Sequence, residues 1–569
     1  MARASHMEMR VDYDVPLKLR DGVVTYIDVY RPKKDGRYPV LLTRTPYDKT
    51  AAYGYPQPLK GVLNGYVVAV QDVRGRYKSE GEYDPIFQEV ADGYDSVEWC
   101  ASQSWSNGRV GMHGGSYVGL TQWLAAISDP PHLRAIAPIL APASSYDEWV
   151  SRGGALQLQF VEHWLVGHSK EMESRNPWPE GKQGSKPFDI DEMYDSTYRF
   201  LPVKDLPIPW SRYLKEWTSH PDRDEYWARV DLARFYQKVS TPAFIVGGWY
   251  DFFLQGSLDS FAGLRSKGKT KKSRSPALIV GPWNHSLPSE FSFGEKAEWS
   301  GMGMEGLILK WFDYWLKDVD NGVSRDPPVR IFVMGDEVWR YENEWPLSRQ
   351  RLTKFFIHSG GDANSSRGYG TLSRSPPEEE EADRFVYDPL NPVPTLSEDM
   401  VARSTYPSEG PHDQSRAESR TDVLVYSTAP LEKDIEVTGR VAMKLFASTS
   451  AADTDFTAKL VDVRPSGFAQ LIADGIIRAR YRNSRARPVL STPGVVNEYT
   501  VDLWSTSNVF KVGHRIRVDI SSSNFPKFDR NLNSGKPVVE ESEPLVALQR
   551  VLHDAKHPSH LILPVIPRL

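Results

Sequence analysis

An α/β fold with a mostly parallel sheet is predicted for the N-terminal part of this 569-residue chain, and three observations predict it. Short apolar runs alternate with segments of helical spacing, a glycine-lined turn joins one such run to a helix, and later strand ends carry an aspartate and a histidine. Residues 24–30, 38–44 and 66–71 read as strands. In residues 90–101 Val90, Tyr94, Val97, Trp99 and Cys100 recur at helical spacing. Residues 110–115 then form a strand into Ser116, residues 120–127 a helix, and residues 135–140 another strand. Strand rhythm returns at 243–247 and 277–281, followed by a helix over 305–316 and a strand over 329–334.

Between these two groups of strands the character changes. Trp149, Phe160, Trp164, Tyr194, Trp210, Trp217 and Trp227 fall at helical spacing around the polar stretch 173–186. This predicts a mainly helical insertion that roofs the strand ends, where ligands bind in open α/β sheets. Past residue 351 the segments 354–358, 423–427, 441–448, 457–463, 498–502 and 515–521 read as short strands without helices between them, the pattern of a β-sandwich or jelly roll. A chain this long exceeds one hydrophobic core. The expected division is a catalytic α/β domain over 8–143 and 236–349, a helical cap over 144–235 and a C-terminal jelly-roll domain over 350–569, with residues 1–7 a tag remnant.

Composition excludes several classes. With 40% hydrophobic and 25% charged residues and a net charge of −5, nothing global points to nucleic acid. The basic run 265–274 reads as a solvated surface loop. Cys100, the sole cysteine, forms no intrachain disulfide and reads as a core thiol, which fits a reducing cytoplasm. No stretch approaches about 18 uninterrupted apolar residues, so neither a membrane span nor a signal peptide is expected. No Cys/His cluster has zinc-ligand spacing, so no metal is expected.

Ser116 sits at the tip of Gly114-Gly115-Ser116-Tyr117-Val118-Gly119. Strand, tight turn and helix are how an α/β-hydrolase presents a nucleophile, although the pattern asks for glycine at 118 and here it comes at 119. A serine there also suits a helix N-cap. Asp251 follows the strand at 243–247 and His285 the strand at 277–281, giving the chain order Ser, Asp, His of this fold. The chemistry needs all three, since serine needs a base and the base needs an anion to fix its tautomer. His113, inside the strand, and Asp259, in a helix, are competitors ranked as structural.

These segments, together with Arg44-Thr45-Pro46-Tyr47-Asp48-Lys49, Gln71-Asp72-Val73-Arg74-Gly75, residues 455–460 and residues 523–531, resemble the serine-hydrolase family of cocaine esterases, X-prolyl dipeptidyl-peptidases and α-amino-acid ester hydrolases. In that family glycine three residues after the serine is normal. The resemblance implies Ser116 as nucleophile, His285 as base and Asp251 as orienting carboxylate. It further implies an oxyanion hole from the Tyr47 hydroxyl and the Tyr117 backbone N–H, with Trp164 and Phe253 lining the acyl pocket. A small-molecule ester is the implied substrate, with no cofactor, and a homodimer is left open. The chain departs from the cocaine esterases over 47–65 and 396–415, which bears on the leaving group. Two alternatives stand beside the esterase: a peptidase or amidase, for which Glu162 is a candidate amine site although it reads as an exposed helix glutamate, and a non-catalytic scaffold whose β domain binds a ligand.

Overall fold

The computed structural model describes residues 8–51, 56–168, 171, 198–206, 211–285, 294–297, 303–396 and 410–568. Tyr194, Trp210, Ser286, the stretch 173–186 and most of 396–415, all singled out above, lie outside the described residues.

The first sheet contains β1 (Met9–Lys18), β2 (Val24–Pro32), β3 (Tyr38–Thr45), β4 (Val67–Asp72), β5 (Ser106–Gly115) and β6 (Leu133–Ile139). A hairpin of β7 (Ser151–Arg152) and β8 (Ala155–Leu156) intervenes before β9 (Phe244–Gly248), β10 (Ala277–Gly281), β11 (Val329–Val333) and β12 (Val338–Glu342) complete it. Its order is β1-β2-β4-β3-β5-β6-β9-β10-β11-β12, parallel from β4 through β11 and antiparallel at both ends. β1 and β12 escape a reading based on apolar runs because charged residues interrupt both.

Both faces of the parallel region are buried. Val40, Leu42, Val67 and Ala69 face a core shared with α2 (Glu89–Ser102) and α3 (Tyr117–Ile127). Leu41, Val68, Val70 and Ala137 face a second core, closed by Val62 of α1 (Pro58–Leu63) and by Ile308 and Phe312 of the helix Gly303–Lys317. The period-2 alternation of the strands therefore supplies two cores at once. Cys100 is fully buried in the first, and burial pushes its thiol pKa up. The basic run begins on the helix Leu254–Lys267 and only then turns, so its first residues are helical and not loop.

The insertion between β6 and β9 carries a π-helical turn, Ser145–Val150, then the β7/β8 hairpin, α4 (Leu158–Gly167) and the helix Ser211–Ser219. The hairpin presses on the C-terminal domain. The Arg478 N–H donates to the Gly153 carbonyl at 3.0 Å, and a Cβ at Gly153 would stand 1.8 Å from the Ile476 carbonyl oxygen. The Leu156 N–H donates to Asp529 Oδ1 at 2.8 Å.

The C-terminal domain is an eleven-stranded, almost wholly antiparallel sheet folded into a sandwich around Leu445, Phe456, Tyr499 and Phe510. Its strands are not all short: Ile435–Thr449 runs for 15 residues and Asn497–Phe510 for 14. Glycine and the polar residues along them hid that length from a reading by apolar runs.

Candidate active site

Ser116 stands between β5 and α3 with φ 59° and ψ −129°, a strained backbone for a non-glycine residue. Its N–H donates to the Ile139 carbonyl at 2.9 Å, and its carbonyl accepts from the N–H groups of Gly119 and Leu120 at 2.8 and 3.0 Å. The serine side chain makes no cap bond, so the N-cap reading fails. The displaced glycine has a steric reason. A Cβ at Gly119 would lie 2.6 Å from the Cβ of Ala141, so close approach of helix and strand falls on 119 here.

His285 lies after β10 and Asp251 after β9, both at C-terminal strand ends. His285 Nε2 is 2.9 Å from Ser116 Oγ, and Nδ1 is 2.6 Å from Asp251 Oδ2. The Asp251 side chain is fully buried, and its other oxygen accepts the Phe253 N–H at 2.6 Å. A buried carboxylate anchored on one oxygen and facing the imidazole with the other fixes which nitrogen faces the serine. Phe252 stacks on the imidazole with centroids 4.2 Å apart and Phe253 meets it edge-on at 5.4 Å.

Tyr47 reaches the same point from the loop after β3. Its hydroxyl is within hydrogen-bonding reach of the Ser116 side chain and the Tyr117 backbone N–H, and it accepts from Trp164 Nε1 at 3.2 Å. Enclosure pushes the phenol pKa up, which keeps it a donor at neutral pH. The loop is pinned on several sides. The Lys49 N–H donates to Asp72 Oδ1 at 2.7 Å, the Arg76 guanidinium to the Pro46 carbonyl at 2.8 Å, and the Val73 N–H to the Thr45 carbonyl at 3.0 Å. Burial raises the Asp72 carboxyl to about 6. The segment 71–76 is thus the clamp that holds Tyr47. Asp72 and Arg76 were missed as contributors because their partners lie over twenty residues away; the charged tail of a fully buried strand was the available signal.

Trp164 is buried, stacked on Tyr117 at 5.9 Å and edge-on to Trp149 at 5.1 Å; Phe253 is buried against Trp149 at 5.4 Å. Phe253 therefore borders His285 and Trp164 borders Tyr47 and Tyr117, joined by Trp149 and Phe252, which composition alone did not distinguish from core. The competitors are structural. His113 is buried with Nε2 3.2 Å from Thr43 Oγ1, and Asp259 accepts from Gln255 on its own helix. Glu162 is only 1% exposed, which corrects the reading of it as a surface glutamate; α4 is covered on nearly every side, so its polar residues are enclosed as well. Among the described residues no group of three or more His, Cys, Asp or Glu could hold a metal ion, and no helix is long and apolar enough to cross a membrane.

A serine on a strained strand-to-helix elbow, facing a histidine held by a buried carboxylate, is the arrangement of an α/β-hydrolase-fold serine hydrolase. Residues 21–287 match the X-Pro dipeptidyl-peptidase family (S15), and residues 321–562 its C-terminal non-catalytic domain. The chain is 40% identical to the cocaine esterase of Rhodococcus sp. (strain MB1 Bresler), over 98% of each chain. It therefore belongs to the S15 serine-hydrolase family that includes this esterase. Among solved structures it is similar to an aminopeptidase from a marine-sediment Thaumarchaeota archaeon (TM-score 0.81, 26% identity, 99% of this chain and 97% of that one). It is also similar to an α-amino acid ester hydrolase (TM-score 0.79, 25% identity, 99% and 98%).

Proposed function

We propose that the protein hydrolyses carboxylic esters through a covalent acyl-enzyme. Ser116 Oγ attacks the ester carbonyl while His285 Nε2 takes its proton; Asp251 keeps Nδ1 protonated and stabilises the imidazolium. The oxyanion is held by the Tyr47 hydroxyl and the Tyr117 N–H, the latter at the first residue of α3. His285 then protonates the departing alcohol, and water repeats the sequence on the acyl-enzyme. Trp164 and Phe253 border the acyl group, which favours aromatic acyl esters.

The observation that carries this reading is the single histidine bridging Ser116 at 2.9 Å and Asp251 at 2.6 Å. The 40% identity to an esterase favours ester over amide chemistry. Steady-state turnover of p-nitrophenyl esters against Xaa-Pro p-nitroanilides tests it. The expected result is fast ester and slow anilide turnover with stoichiometric fluorophosphonate labelling at Ser116; fast anilide turnover without esterase activity overturns it.

A further inference from the structure

We infer that Trp164, in the cap, is a positioning residue for the oxyanion hole: its indole N–H aims the Tyr47 hydroxyl at the reacting carbonyl oxygen. The inference rests on the oxyanion role proposed for Tyr47 and goes beyond the pocket-lining role proposed for Trp164.

The direction of the Trp164–Tyr47 hydrogen bond is free of ambiguity. An indole N–H can only donate, so at 3.2 Å the phenol oxygen is the acceptor. The Tyr117 backbone N–H, also donor-only, approaches the same oxygen. A phenol oxygen that accepts from the indole N–H has its own proton directed away from Trp164. The phenol also lies within hydrogen-bonding reach of the Ser116 side chain, beside which the substrate's carbonyl oxygen becomes the oxyanion. Acceptance of a hydrogen bond also polarises the O–H and strengthens it as a donor. Preorganised donors of this kind do not reorient during the reaction.

The indole is itself held. Its ring lies nearly parallel to Tyr117, at 17°, and perpendicular to Trp149, at 83°. His168, one helical turn on, hydrogen-bonds through Nδ1 to the Trp164 carbonyl and packs its ring 4.9 Å from that of Tyr47. Burial drives the His168 pKa down to about 3, so this wall is uncharged at neutral pH. The cap thus contributes to the catalytic geometry as well as covering it.

The test is a double-mutant cycle read with p-nitrophenyl acetate, whose small acyl group makes little use of an aromatic pocket. Trp164→Phe, which keeps a ring and removes the N–H, is expected to lower kcat about three- to tenfold with KM nearly constant. In a Tyr47→Phe background the same change is expected to have no further effect. Replacement of Trp164 by 3-benzothienylalanine, equal in shape and lacking the N–H, should reproduce the loss and covers the case in which the phenylalanine variant folds poorly. Equal losses with and without Tyr47, or an unchanged kcat with a raised KM for benzoyl esters only, overturn the inference. If Tyr47→Phe itself leaves kcat intact, the oxyanion reading fails first, and the two failures are told apart.

Discussion

Among the described residues, two places bring a serine, a histidine and an aspartate into contact, and they are wired differently. In the α/β domain His285 meets Asp251 with one ring nitrogen and Ser116 with the other. In the β domain His553 Nε2 faces Asp383 at 2.9 Å with Ser359 Oγ at 3.4 Å, while Nδ1 faces Glu380 at 2.9 Å. Ser359 donates its proton to Asp383 at 2.7 Å, and Asp383 also accepts from the Tyr426 hydroxyl. Burial alone would depress the His553 pKa, but hydrogen bonds and charge from Asp383 and Glu380 outweigh it and raise the value. A carboxylate at each ring nitrogen favours the cation, which has no lone pair for a serine proton. The same three residue types are therefore arranged as a general base requires in one place and as an ion cluster in the other; what differs is which ring nitrogen faces which group.

The largest expected effect separates the two clusters by activity. Ser116→Ala should lower kcat for p-nitrophenyl esters by about 10⁴-fold or more, whereas Ser359→Ala should leave it within about twofold. A comparable loss from Ser359→Ala would erase the distinction. Next, Tyr47→Phe should cost about 10²- to 10³-fold in kcat, because it removes the hydroxyl proposed to hold the oxyanion. Stopped-flow acylation kinetics would check it, and an unchanged acylation rate would remove Tyr47 from the site.

A smaller effect probes the elbow's packing. Gly119→Ala forces a Cβ into Ala141 and should destabilise the protein by about 1–3 kcal/mol, read as a lower denaturation midpoint with unchanged slope. The subtlest concerns pH. Because the folded His553 pKa is raised, its charge contributes stability that is fully present below about 6.5 and is lost as pH rises through the raised value. The stability difference between the wild type and His553→Gln should shrink as pH rises, with the kcat/KM profile keeping its shape. A difference independent of pH would mean that His553 is held neutral.

The elbow and the strand-end loops were legible because they are local: glycines, a strand and one polar residue lie within a dozen positions. Tyr47 was not readable from its own neighbourhood and needed the family resemblance, since the groups that place it come from two distant segments, Asp72 and Arg76 in 71–76 and Trp164 in α4. Glu162 was misplaced for a related reason, because periodicity reports the face a helix shows to one neighbour and α4 is enclosed by several. The Ser359, His553 and Asp383 cluster left no sequence signal, as its members sit at the ends of separate strands of a sheet whose pairing a one-dimensional pattern does not specify.

The hairpin Ser151–Leu156 bears on how this enzyme could be re-engineered. Arg478 and Asp529 grip it through its backbone, and the space at Gly153 admits no side chain. A chimera that exchanged the β domain at the β12 boundary would inherit a foreign socket for this hairpin and, through α4 a few residues on, a displaced Trp164. Recombination libraries should therefore carry the 151–168 segment and the β domain as one cassette, although more than 180 residues of sequence separate them.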